Sequence, residues 1–387
     1  MSKNISVEYK SIQIDNLNTE IKLSIFTPKK GASEIHGVIT LSNPLLSTEQ
    51  QIMQLNLALE HLSASSVTKD AVLVWRRYFM SDPVNQYHLL STYISGAISI
   101  VGQPPLNQSK ITLWCYFIQG ASINEEIVKG ATLVNHSAFT HIYHTGLNSR
   151  LGNEYDQTAD IFQQLEDSLR QKMLHLTDHL IRTWIFVQGV DTHYLGMIKA
   201  RKEMFDKVGL TDETHYVAST GIEGRSIYLD SLVFMDAYSV AGLEQNQISY
   251  LRAPHFMCPT SNYGVTFERG TVIEYGDRRH IFISGTASID TSGDVVFPFQ
   301  IIPQTQRTIE TIEALLKEAD ATLKDIAQLI VYLRDMADYQ LVNGYLENEF
   351  PELPKVIVFA PVCRQGWLIE FECIAISSVS NSIFHPF

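Results

Sequence analysis

The stretch CRQGWLIEFECIAI, Cys363–Ile376, decides how this chain is read. It reads as the edge of one strand, a tight Gln-Gly turn, and a second strand whose residues favour burial. That second strand nevertheless carries Glu370 and Glu372, two positions apart and so on one face of a sheet. Working outward, VIVFAPVCR supplies the other arm of a closing hairpin. Before it come a helix over Tyr339–Phe350, a central strand LIVYLRDMAD (Leu329–Asp338) and a helix over Thr305–Ala319. The last of these places Ile309, Ile312, Leu315 and Leu316 on one face. HIFISGTASID (His280–Asp290) alternates as a strand, and SGD (Ser292–Asp294) turns the chain onward.

The same order recurs twice upstream. In the first third, a helix near Glu49–Leu62 precedes the strand AVLVWRRYFM (Ala71–Met80), and Ile98–Ile118 reads as a hairpin around Pro104–Lys110. In the middle third, Glu154–Leu176 spaces Ile161, Leu165, Leu169 and Met173 four apart, an amphipathic stripe. RTWIFVQG (Arg182–Gly189) is the matching strand, Tyr194–Phe205 the second helix, and Thr220–Tyr238 the closing hairpin. A sheet with two helices on one face is an α+β layer. The expected organisation is three such units packed together: 1–125 (divergent), 126–245 and 246–387, with no linker-like segment between them.

Composition narrows the function. A chain of 387 residues, 45% hydrophobic and 18% charged, is an ordinary core-forming one. No apolar run approaches the roughly 20 residues that cross a bilayer, and MSKNISVEYKSIQIDN lacks an apolar signal region; a cytoplasmic protein without membrane partners is expected. Cys115, Cys258, Cys363 and Cys373 show no CxxC spacing, and no histidine pairs with a cysteine at ligand spacing. Neither a metal nor a cofactor is therefore expected. The net charge of −13 argues against nucleic acid as a partner. An acidic chain can still bind a small anion through local arginines, so arginines on strands or facing clefts merit following one by one.

FISGTASID, VYLRDMADY, NGYLENEFPE and LIEFECIAI resemble the RidA family, small α+β subunits that assemble as trimers with active clefts between neighbours. RTWIFVQG, YLGMIKARKEMF, VASTGIEG, PTSNYGVTFERGT and VCRQGWLIEFE narrow this to a resemblance to the chorismatase family, spanning roughly Glu154–Ile376. The fold this implies is three RidA-like (chorismate-mutase-like α+β) units in one chain, a pseudo-trimer, monomeric or a small homo-oligomer. A fused trimer can let two of its three clefts decay. Aligning the closing hairpins sets Glu370 opposite Val233 of the middle unit, while ITLWCYF in the first unit offers no acid; a single site follows.

The activity implied is hydrolysis of the enolpyruvyl ether of chorismate to pyruvate plus a dihydroxycyclohexadiene or hydroxybenzoate product. Protonating the terminal methylene carbon needs a carboxylic acid that stays neutral near pH 7, which burial favours. Glu370, flanked by Leu368, Ile369 and Phe371, is the catalytic acid the resemblance implies, with Glu372 in support. Chorismate carries two carboxylates, and arginine forks suit them; Arg201, Arg269 and Arg364 are the matching positions. Tyr194 lies seven residues before Arg201, two helical turns, and so faces the same way. Tyr263 is placed to orient a ring hydroxyl or water. Thr220, Gly221, Ser284 and Gly285 are places where backbone amides could approach substrate closely. Cys363 lines the wall.

Three departures bear on the substrate. Ile185 replaces an Asn of the family strand, Glu223 brings negative charge where the family tends to have Gly, and HFMCPTSNYG is short for the family loop. Two other readings remain: a RidA-like enamine/imine deaminase, and a non-catalytic small-ligand-binding protein. The deaminases rely on an Arg where this chain has Lys355 and Val356, in LPKVIVF.

Overall fold

The computed structural model describes residues 7–90, 96–128 and 130–387. Its strands form three six-stranded sheets. The first holds β1 (Glu8–Ile14), β2 (Thr19–Phe26), β3 (Glu34–Leu41), β4 (Ala71–Met80), β5 (Ala97–Gly102) and β6 (Ile111–Gln119). The second holds β7 (Ser122–Val128), β8 (Ala131–His136), β9 (Phe139–Asn148), β10 (Leu180–Val187), β11 (Ala218–Glu223) and β12 (Val233–Ala241). The third holds β13 (Ile248–Leu251), β14 (Gly270–Glu274), β15 (Arg278–Ala287), β16 (Ile326–Leu333), β17 (Lys355–Phe359) and β18 (Ile369–Ser378). The orders β1-β2-β3-β6-β4-β5, β7-β8-β9-β12-β10-β11 and β13-β14-β15-β18-β16-β17 are one topology repeated three times.

Each sheet carries helices on its outer face. α1 (Thr48–Ser63) covers the first, followed after β4 by a single turn, α2 (Pro83–Gln86). α3 (Glu154–Arg170), the turn α4 (Leu176–His179) and α5 (Val190–Val208) cover the second; α6 (Ile301–Glu318) and α7 (Tyr339–Glu349) cover the third. The apolar stripes do what their spacing predicts: Ile161, Phe162, Leu165 and Leu169 of α3 are buried with Met197 and Phe205 of α5. The stripe ends sooner than the sequence suggests. α3 stops at Arg170, and Met173 sits at φ +60° with its side chain 88% exposed, so it caps the turn rather than extending the helix.

The closing hairpins are not hairpins. β5, β11 and β17 run parallel to β4, β10 and β16, while β6, β12 and β18 pair antiparallel on the opposite edge of the same central strands. A strand that follows a crossover helix or turn returns parallel to its predecessor, so the next segment must pass over the central strand to reach its free edge.

The inner faces meet around a pseudo-threefold axis. Trp75, Trp114 and Trp184 cluster there, with ring centroids 5.9 and 5.7 Å apart, beside Tyr143, Tyr238 and Phe282. One β-bridge links each pair of units: Gly102 with Arg225, Ala218 with Glu268, and Pro105 with Val358. A buried Arg–acid pair also crosses each junction: Arg77 with Asp236 at 2.9 Å, Arg182 with Glu372 at 2.8 Å, and Arg278 with Glu34.

Pairing to the central strands fixes which residues correspond. Leu333 opposes Ile369, Val187 opposes Val233 and Met80 opposes Ile111. Glu370 therefore corresponds to Phe234 and Thr112, one residue on from the Val233 expected from sequence. At the Glu370 position the third unit alone carries an acid. Glu372 corresponds to Asp236 and Trp114, so its position keeps an acid in two units.

Candidate active site

A cavity of about 160 Å³ lies where the second and third units meet. α5 and the edge strand β11 form one wall; the segment leading into β14, with β15, β18 and the loop before β18, forms the other. Glu370, Arg201, Arg269, Arg364, Tyr194, Thr220, Gly221, Gly285 and Cys363 all line it. Residues separated by up to 176 positions are brought together because β18 is a central strand whose inner face looks onto the neighbouring unit's edge.

Glu370 is 5% exposed and faces an apolar surround that includes Ile289 and Trp367. Burial, reinforced by the negative charge of Glu372, raises its carboxyl to about 8 despite the opposing pull of Arg182 and Arg269. The acid thus stays protonated near neutral pH. Gly285 is the neighbour that makes room for it. A Cβ there would lie 2.3 Å from Glu370 Oε1, a distance no methyl group tolerates, and a tight 3.1 Å from Thr220 Cγ2. Gly285→Ala is expected to displace the carboxyl and lower turnover at least tenfold, while circular dichroism stays that of the wild type; an unchanged rate would show that the carboxyl position does not matter.

The arginines are held from behind. Arg201 donates from Nε to Thr266 Oγ1 (3.2 Å) and from Nη1 to Ser219 Oγ (3.4 Å). Arg269 donates to the Cys258 carbonyl (3.0 Å) and lies over the Phe267 ring. Arg364 donates to the Gly293 carbonyl (3.3 Å), with its guanidinium 4.9 Å from the Trp367 ring centroid. Tyr194 and Cys363 are hydrogen-bonded to each other. Burial and the nearby Glu370 push the Cys363 thiol up to about 12, so it is a neutral wall residue and no nucleophile. Gly221 admits the Tyr194 ring, whose Cε2 would meet a Cβ there at 3.2 Å.

Several expectations need correction. Glu372 does not line the cavity. It accepts from Arg182 Nη2 and from Trp184 Nε1, each at 2.8 Å, with Arg77 Nη1 3.9 Å away. Its partners lie on β10 and β4, deeper than the cavity floor. Ser284 is likewise outside the lining: its amide donates to the Arg269 carbonyl (3.0 Å), and its hydroxyl joins Ser219 N to the Glu268 carbonyl. The Gly285 amide is also engaged, donating to Thr220 Oγ1 at 2.9 Å. Its contribution is space, not an amide for substrate. Tyr263 ends a 3-10 turn, Thr260–Tyr263, and its side chain lies outside the described residues.

Two of the departures prove remote. Ile185 faces the helical layer among Leu165, Met197 and Met235. Glu223 accepts from the Gly189 and Val190 amides at 3.0 and 2.7 Å, so its charge caps the N-terminus of α5. Sequence reasoning missed Arg182, which joins Glu372 to Thr220 and so links the buried acid to the cavity wall. The signal was present: an arginine inside the otherwise apolar strand LIRTWIFV must be paired if that strand is buried.

Comparison with known proteins agrees with this architecture. The family model described as Endoribonuclease L-PSP matches residues 272–377. A solved chorismatase shares the fold with a TM-score of 0.61, over 79% of this chain and 93% of that one, at 16% identity. The 3-aminoacrylate deaminase RutC of Acinetobacter baylyi is 36% identical over 102 residues, 26% of this chain and 78% of that protein. A RutC family protein of Pyrococcus abyssi is 37% identical over 97 residues, 24% of this chain and 76% of the relative. No helix among the described residues is long and apolar enough to cross a membrane. With its third unit matched at this level, the chain belongs to the RutC family, in a form that carries three RidA-like α+β units as a pseudo-trimer.

Proposed function

We propose that the chain is a chorismatase-like hydrolase, cleaving the enolpyruvyl ether of chorismate to pyruvate and a dihydroxycyclohexadiene or hydroxybenzoate. The observation that carries this reading is a carboxyl held neutral up to about pH 8 in a cavity onto which three arginines converge. In the reaction, Glu370 gives its proton to the terminal methylene carbon, and the enol ether becomes an oxocarbenium ion. Water adds to the cationic carbon and loses a proton, which restores the acid. The hemiketal then breaks its C–O bond, releasing pyruvate and the ring alcohol, the dihydroxycyclohexadiene; the hydroxybenzoate follows only if that diol loses one water and becomes aromatic. Arg201, Arg269 and Arg364 would receive the two carboxylates, and the half-buried, weakly acidic Cys363 and Tyr194 would pack against the substrate.

The same proton transfer to carbon would serve an enamine, and the likeness to a 3-aminoacrylate deaminase favours that as the second reading. Against it, Lys355 replaces the deaminases' Arg and lies at a different junction, where it contacts Glu347 at 2.8 Å. Incubating the purified chain with chorismate, and separately with enzymatically generated 3-aminoacrylate, distinguishes the two. Pyruvate and an identified ring product from chorismate are expected. Intact chorismate would sink the first reading, and accelerated ammonium release from 3-aminoacrylate would establish the second.

A further inference from the structure

A second junction holds a larger cavity, of about 330 Å³, between the third and first units. It is walled by α7 and β17 on one side and by β2, β3 and β6 on the other, the same elements one step round the pseudo-threefold axis. Strand pairing carries the correspondence residue by residue. Thr112 stands in the place of Glu370, and Lys355 in the place of Ser219. Gly270 pairs with Ile283 and Ile283 with Cys373; Leu23 pairs with Gly37 and Gly37 with Cys115. Lys22, preceding Leu23, therefore stands where Arg269 stands. The acid has been lost here, and a cation has been kept.

The charges in this cavity are of both signs. Lys22 and Lys355 share Glu347, at 3.1 and 2.8 Å, so two cations and one anion make a triad that is positive overall. Glu20, two residues before Lys22 on β2 and so on its face of the sheet, also lines the cavity as a separate anion. Thr112 is 2% exposed, and its hydroxyl has no hydrogen-bond partner among the described residues. Buried hydroxyls are ordinarily paired, with protein or with ordered water; Thr112 borders the cavity with that hydrogen bond still to be made.

We propose that this cleft is a second, non-hydrolysing site for a small zwitterion of the α-amino acid class. The carboxylate meets the Lys22–Glu347–Lys355 triad, the ammonium meets Glu20, and the Thr112 hydroxyl completes the contacts. A dianion is disfavoured, because the two lysines and two glutamates of the lining cancel. The assignment is independent of the reaction proposed for the first cleft.

Isothermal titration of the full chain with each protein α-amino acid in turn tests it. Binding by at least one is expected, weakened roughly tenfold to a hundredfold in Lys22→Met and also weakened in Thr112→Val, with Glu370→Gln binding as the wild type does. Thr112→Val guards against a folding artefact, since removing an unpaired buried hydroxyl is expected to keep or raise the melting temperature of the free protein. Absence of binding to the wild type overturns the proposal. So does binding that survives Lys22→Met or Thr112→Val unchanged, or that is lost in Glu370→Gln.

Discussion

Glu370→Gln is expected to abolish pyruvate release from chorismate, lowering kcat by roughly a hundred- to ten-thousand-fold, the range a positioned general acid contributes. Gln keeps the shape and neutrality of the protonated acid but has no transferable proton, so KM is expected to change little. The pH profile of the wild type follows from the same group. Its carboxyl is raised to about 8, so kcat is expected to hold through neutral pH and fall on the alkaline side as that proton is lost. Stability carries the same signature. A carboxyl with a raised folded-state value binds its proton more tightly in the folded chain, so its contribution is complete below the unfolded value near 4.5 and declines as pH rises to about 8. Glu370→Gln lacks this decline. Its melting temperature is expected to exceed the wild type's at pH 8 and to match it at acid pH. A variant that is fully active, or as pH-sensitive in stability as the wild type, would remove Glu370 from the role of acid.

The second large effect concerns Glu372. Glu372→Leu leaves Arg182, 2% exposed, without its carboxylate and strands the Trp184 indole N–H. Removing one member of a buried ion pair costs about 3–5 kcal/mol, because the remaining charge stays desolvated. Thr220, which also accepts from Arg182, would lose its anchor, and the cavity wall with it. Glu372→Leu combined with Arg182→Met removes both charges and is expected to recover most of that stability. Denaturant unfolding of the two variants and the wild type measures the difference. If the single variant were as stable as the wild type, the pair would hold nothing together.

How far the sequence carried this reading can be seen residue by residue. Three repeats were visible because their central strands and helices have strong periodicities, as in Ala71–Met80 and Thr305–Ala319. Which strands pair was not visible. β17 and β18 are adjacent in sequence, yet β16 lies between them, and nothing in an apolar run reports its neighbour. The register slipped by one residue for a related reason: an apolar strand does not report its own register, and the ladders Leu333–Ile369, Val187–Val233 and Met80–Ile111 are what fix the correspondence. Within the cavity, Glu370 and the three arginines were legible from their motifs. Glu372 and Ser284 carried the same polar signal but spend it on structural hydrogen bonds, Glu372 to the second unit and Ser284 to both units at the junction. Glu223 was misjudged because a carboxylate beside a cavity and one capping a helix look alike until the helix start at Val190 is placed.

The three buried Arg–acid pairs form a ring: the first unit's Arg77 reaches the second unit's Asp236, the second's Arg182 the third's Glu372, and the third's Arg278 the first's Glu34. Peeling away any one unit breaks two of the three pairs at once, leaving a guanidinium on one neighbour and a carboxylate on the other without the partner that crosses the junction. Partial opening is therefore penalised at two places at once, while complete opening lets water solvate all six groups together. The consequence is mechanical: a chain assembled from three similar modules behaves on melting as one indivisible body, with no stable two-module remnant along the way.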